Sequence, residues 1–218
     1  MLLFLPVIIL NCRKRLEPTE MDMSEHGWTL YARGEYREAN RWFEDAVFED
    51  STYKDGYNGL GWTFGKLGQV AQSISSFQTG RTLAFQDTTR DDSLLLLSVP
   101  SHDVPRETTA GLAMAYHANN SHANAVIYGN SLLALSGDSS YTVAQGDPKW
   151  IFSRDSAIDA RHIIWTLASS HFALGNFEQS LAHVHQLMSE PASFTPDITT
   201  VEGRRELAEK IEFLRDNL

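Results

Sequence analysis

The stretch Tyr57-Asn58-Gly59-Leu60-Gly61-Trp62-Thr63-Phe64-Gly65-Lys66-Leu67-Gly68 decides the fold. Its Gly61-Trp62-Thr63 repeats an earlier Gly27-Trp28-Thr29 at a shift of 34 residues. At the same shift Gly34 falls on Gly68 and Phe43 on Phe77, while Ala39 and Ala46 meet the small residues Ser73 and Gly80. Self-similarity at a fixed period of this size marks stacked supersecondary units, each unable to bury its apolar face alone.

The residue types fit a pair of antiparallel helices per unit. A small residue on the first helix, Gly27 or Gly61, lets the facing helix approach. A small residue on the second helix, Ala39 or Ser73, does the same from the other side, and an aromatic four positions later, Phe43 or Phe77, fills the space between successive pairs. Gly34 and Gly68 stand where the first helix must stop, because glycine tolerates positive φ. The spacings Tyr57-x2-Leu60-Gly61-x2-Phe64 and Ala39-x3-Phe43 resemble the signature of the tetratricopeptide repeat. That resemblance implies an all-α, helix-turn-helix solenoid of the kind that serves as an interaction scaffold.

Two further copies extend the pattern. Leu112-Ala113-x2-Tyr116 is followed by Asn120 at the corner and Ala125 on the second helix. Leu167-Ala168-x2-His171 is followed by Gly175-Asn176-Phe177 and then by Ser180 and Val184. The spacing between copies exceeds 34 residues twice, which places insertions around residues 85–105 and 136–155. Residues 200–218 read as one amphipathic helix on Leu207, Ile211 and Leu214, the expected cap of a solenoid. The expected architecture is about four helix pairs, two insertions and a C-terminal capping helix over residues 23–218, behind a segment 1–22 of different character.

That leading segment opens with MLLFLPVIIL, residues 1–10. Ten apolar residues are too few to span a bilayer, which takes about 20, but match the apolar core of an export signal. Ile9-Leu10-Asn11-Cys12 resembles a bacterial lipobox, which implies a lipid on Cys12, the sole cysteine, and a polar tether after it. The family pattern prefers a small residue where Asn11 stands, and Arg13-Lys14-Arg15 puts positive charge directly after the cysteine. A plain secretory signal and a cytosolic chain are the alternatives. The predicted location is therefore the cell envelope, lipid-anchored, with the cytoplasm as alternative.

A formal net charge of -10 repels phosphate backbones, so nucleic acid is not an expected partner. The eight histidines lack any H-E-x-x-H or comparable spacing, and one cysteine supports no Cys-rich zinc site, so no metal is expected. No G-x-S-x-G elbow exists, and Gly59-x-Gly61 lies inside a helix rather than after a strand. No catalytic residue, cofactor or enzymatic activity is predicted.

Binding is the function left. The predicted partner is a protein or peptide held in a groove lined by the first helices, with Tyr31, Asn58, His117 and Trp165 as candidate contacts. The second insertion adds Trp150 and Phe152, beside Arg154-Asp155. Tryptophan and arginine are frequent in binding hot spots, so these residues form either a binding edge or a plug on neighbouring helices. Leu94-Leu95-Leu96-Leu97 in the first insertion either covers core or offers an apolar patch. A surface component that captures a soluble ligand or glycan is the competing reading, motivated by the aromatic residues. Sealing of the first-helix face by the insertions would remove the groove.

Overall fold

The computed structural model describes residues 17–87 and 103–218. The predicted lipid site at Cys12 and the leucine run at 94–97 lie outside the described residues. Among the described residues the chain forms helices α1 (Glu20–Ala32), α2 (Tyr36–Glu49), α3 (Lys54–Lys66), α4 (Val70–Asp87), α5 (Val104–Ala118), α6 (His122–Ser136), α7 (Ala160–Ala173), α8 (Phe177–Gln186) and α9 (Val201–Arg215). No helix of the described residues is long and apolar enough to cross a membrane.

Consecutive helices pair as α1 with α2, α3 with α4, α5 with α6 and α7 with α8, and each second helix packs on the first helix of the next pair. The first helices also touch along the stack, α1 on α3, α3 on α5 and α5 on α7, whereas no second helix packs comparably on the next second helix. The first helices therefore line the inner face of an all-α, tetratricopeptide-like solenoid.

The same local device turns the chain at every pair. Gly34, Gly68, Asn120 and Gly175 all sit at positive φ, between 56° and 77°. In each case the next residue's amide reaches back to close the helix: Glu35 to the Leu30 carbonyl, Gln69 to Phe64, Ser121 to Tyr116 and Asn176 to His171. This is the hydrogen-bonded left-handed helix stop, which asparagine can adopt at a modest cost and glycine at almost none. Across the pair, the Ser73 hydroxyl donates to the Gly61 carbonyl and the Ser180 hydroxyl to the Ala168 carbonyl, both at 2.8 Å. A small hydroxyl thus replaces the methyl of Ala39 or Ala125 at the corresponding place, all of them buried.

Two buried phenylalanines cement the first three pairs. A β-carbon on Gly27 or Gly59 would come within 2.8 Å and 2.3 Å of the Phe43 ring, and one on Gly61 or Gly111 within 2.4 Å and 2.2 Å of Phe77. Each ring is therefore clamped between two first helices at positions where a side chain cannot fit. In the third pair the equivalent position is Gly129, and Leu167 of α7 moves in against it instead. The stack ends with α9, which buries Leu207, Ile211 and Leu214 against α7 and α8. Thr200 caps its first turn by accepting from the Gly203 amide.

The second insertion runs over residues 137–159, a few residues longer than its predicted span. Gly137 ends α6 at positive φ, and the buried Asp138 carboxylate accepts from the amides of Lys149 and Trp150. An isolated antiparallel bridge joins Ile151 to Asp159, with the Phe152 amide donating to the Ile158 carbonyl at 2.8 Å. Asp159 then caps α7 through the Arg161 amide. Of the first insertion, residues 88–102 lie outside the described residues.

Candidate functional site

The inner face brings together the side chains that could meet a partner, and the second insertion lies across it. From α1 come Trp28 and Tyr31, from α3 Asp55, Asn58 and Trp62, and from α5 Glu107. The loop lowers Phe152 among them. Its ring stacks on Trp62 with centroids 4.2 Å apart and meets Trp28 and Tyr31 edge-on at 6.0 and 6.4 Å. Stacked and edge-to-face arrangements are the favourable geometries for such rings. Phe152 is left 1% exposed and Trp150 4%.

Beside the aromatic contact lies a buried polar node. The Asp55 carboxylate accepts from the Ser24 hydroxyl at 2.9 Å and from the Trp28 indole at 2.8 Å. Asn58 donates its amide to Glu107 at 2.6 Å, and the Ser153 hydroxyl bonds the other Glu107 oxygen at 2.5 Å. Arg154 forks onto Glu25 at 2.8 and 3.2 Å, lies 3.7 Å from Asp55 and covers the Trp28 ring. Asp155 approaches Lys66 at 3.5 Å. One helix from each of the first three pairs is thus tied to the loop.

Burial dominates the electrostatics of the node. Removal from water pushes the Glu107 carboxyl up to about 7, helped by the Asp55 charge and opposed by the Ser153 and Asn58 hydrogen bonds and by Arg154. Tyr31 is driven upward for the same first reason, with Asp155 and Tyr36 adding to it. Its hydroxyl and the Trp62 indole N–H find no hydrogen-bond partner among the described residues.

The expected contacts fall in two different surroundings. Tyr31 and Asn58 do line the inner face, but both are buried under the loop and cannot meet a partner directly. Phe152 is a plug on the first helices and Trp150 is buried in the same loop, since burying two large aromatic side chains is worth several kcal/mol in total. The face over α1, α3 and the start of α5 is consequently not an open groove.

Farther along the stack the face is less covered. His117 of α5 and Trp165 of α7 meet with ring centroids 5.2 Å apart, and both are half-buried. His117 Nε2 bonds the Ser169 hydroxyl at 2.9 Å, and the Trp165 indole donates to the Ile211 carbonyl of the cap. Burial, with His122 nearby, holds the His117 imidazole below its ordinary range and favours the neutral ring. Among the described residues no three His, Cys, Asp or Glu side chains converge as metal ligands.

Sequence reading missed Asp55 and Glu107. Their bonds to Trp28 and Asn58 cross 27 and 49 residues, so no local pattern announces them. The available signal is that Glu107 sits on the same side of α5 as Val104, Gly111 and Ala115, where a charge is out of place. The fold and site define a helical-repeat protein with a self-filled inner face. Comparison with protein-family models and with curated proteins returns no match for this chain.

Proposed function

We propose that the chain is a tetratricopeptide-type binding module that holds a protein or peptide partner, and that a lipid on Cys12 tethers it to a membrane of the cell envelope. The supporting observation is the repeated architecture itself: four helix pairs with one corner geometry and a continuous first-helix face. With the loop filling the first half of the inner face, the partner's place is the half around His117 and Trp165, bounded by the cap.

The test combines localisation with contact mapping. A photo-crosslinking residue is placed in intact cells at Ala118, exposed at the end of α5, or at Glu206, exposed on α9. The reading expects one discrete adduct from position 118, none from 206, and loss of that adduct from the membrane fraction in Cys12→Ala. Equal adducts at both positions would remove the inner face as the partner site. A Cys12→Ala chain that still fractionates with membranes would remove the lipid tether.

A further inference from the structure

The third and fourth helix pairs correspond at a shift of 55 residues, and four histidines fall on that correspondence. His171 of α7 and His183 of α8 stack with ring centroids 5.5 Å and planes 18° apart. At the corresponding places one unit earlier, Tyr116 of α5 and Tyr128 of α6 stack at 5.5 Å and 9°. His117 of α5 meets His122 of α6 edge-on across the corner, at 5.4 Å and 70°. One unit later, Phe172 and Phe177 hold the same contact at 5.3 Å and 67°. Each histidine pair thus stands where the neighbouring unit carries a tyrosine or phenylalanine pair of the same geometry. Ring packing alone does not select imidazole at either place.

What imidazole adds is a proton site that titrates between about pH 5 and 8. The surroundings oppose the charged form. Burial holds His117, His171 and His183 below the ordinary 6.5; His122 adds to it at His117 and His183 at His171, while the Gln186 bond opposes it at His183. His122 Nδ1 is buried and has no partner among the described residues, so a proton placed there gains no acceptor. The Ser169 hydroxyl bonds His117 Nε2 at 2.9 Å and can do so whether or not the ring is charged. Carboxylates are scarce nearby. In a chain with 28 acidic residues, helices α5 to α8 hold Glu107, bonded to Asn58 and Ser153, and Glu178, exposed on α8, and no other. The charged groups on the elements packed around the pairs are engaged elsewhere. Lys66 of α3 faces Asp155, Arg81 of α4 bonds Thr109, Arg106 of α5 bonds Asp103, and Arg161 and His162 of α7 meet Asp159. His185 of α8 bonds the Phe194 carbonyl. On α9, Arg205 takes Glu202 and Glu209, Arg204 and Lys210 lie over Phe177 and Phe194, and Glu206 and Glu212 are exposed.

We propose that α5 to α8 form an acid-sensitive element, held by the two histidine pairs as uncharged rings and loosened when both members of a pair take up protons. Like charges with ring centroids 5.4 and 5.5 Å apart, in buried places, repel with little screening. Helix α7 couples the pairs, since it carries both Ser169, the partner of His117, and His171. The sign follows from burial. His117, His171 and His183 hold a proton less tightly in the folded chain than in the unfolded one, so stability is full above about pH 6.5 and falls as pH drops below it. Glu107 acts with the opposite sign, and Asp159, held down to about 2 against its burial by His162 and Arg161, stays ionised at pH 5, so neither mimics the loss. His117 belongs to the half of the inner face proposed above for a partner, but the device does not rest on that reading, since both pairs are internal to this chain.

The experiment is hydrogen exchange of the full chain by mass spectrometry at pH 7.5 and pH 5, corrected for the intrinsic rate. Two variants run beside it, His117→Phe/His122→Phe and His171→Phe/His183→Phe. In the wild type, α5 to α8 are expected to lose about tenfold or more of their protection at pH 5, the worth of one pH unit of depression, while α1 to α4 lose at most about twofold. Each double variant gives its pair rings that cannot ionise and should recover at least about threefold of that protection. An NMR titration of the wild-type imidazoles reads the same groups without substitution, so a variant that fails to fold does not end the test. His117, His171 and His183 should titrate below a histidine in a short unstructured peptide. Equal loss of protection in α1 to α4 and α5 to α8, folded double variants that lose protection as the wild type does, or imidazoles that titrate as in the peptide would each overturn the proposal.

Discussion

Replacing Phe152 by alanine removes the side chain that pins the inserted loop to the inner face. The ring is 1% exposed, stacked on Trp62 at 4.2 Å and bordered by Trp28 and Tyr31. Truncation of such a ring typically costs about 3–5 kcal/mol, the sum of lost transfer energy and the cavity left behind. At roughly 2–4 °C per kcal/mol for a chain of this size, the thermal midpoint should fall by about 6–20 °C. Ile151, the adjacent residue, is 49% exposed, and Ile151→Ala should cost well under half as much. Urea unfolding followed by far-UV circular dichroism, with both variants side by side, measures the difference. If Phe152→Ala unfolds at the same urea concentration as Ile151→Ala, the ring is not buried on the first helices and the loop does not fill the face.

Three further outcomes follow from the same geometry. Gly61→Ala puts a β-carbon 2.4 Å from the Phe77 ring and should destabilise by about 1–3 kcal/mol, whereas Gly65→Ala should stabilise by up to about 1 kcal/mol; urea midpoints of the pair decide it. At the corners, Gly68→Ala forces a side chain into the left-handed region and should cost about 1–2 kcal/mol, while Asn120→Gly at the equivalent corner should be neutral or slightly stabilising by the same assay. Glu107 makes folding depend on pH. Its carboxyl is raised to about 7 in the folded chain from an ordinary 4.5, so the folded state holds the proton more tightly. The stability it contributes is full below pH 4.5 and is lost as pH rises through 7. At 1.36 kcal/mol per pH unit the total is on the order of 3 kcal/mol. Glu107→Gln, which cannot ionise, should lose this dependence, and a wild-type profile between pH 5 and 8 parallel to that of the variant would contradict the assignment.

What the sequence showed was local. Gly34, Gly68, Asn120 and Gly175 could be read as helix stops because positive φ is a property of one residue, and all four hold that geometry. Gly27, Gly61, Phe43 and Phe77 were legible because the 34-residue shift repeats them, and the structure adds that each ring is shared by two glycines of adjacent pairs. The destination of the second insertion was not legible. A Trp and a Phe beside an Arg-Asp pair suit a binding edge as well as a plug, and only the position of Trp62 and Trp28 opposite the loop decides between them. Asp55 and Glu107 escaped for the related reason that their bonds to Trp28, Asn58 and Ser153 cross tens of residues. The burial of Tyr31 and Asn58 was not legible either, because a face read from one helix at a time does not reveal what covers it.

The claim on which the site rests is that the chain's own loop closes the first half of the inner face. A nuclear Overhauser spectrum of the full chain, with Phe152 and Trp62 selectively labelled, tests it most directly. Strong cross-peaks are expected between the Phe152 ring protons and the Trp62 indole, with centroids 4.2 Å apart. Their absence, with a rapidly exchanging Phe152 amide in place of one bonded to Ile158, would mean that the loop stands away from the first helices and that the inner face is an open groove.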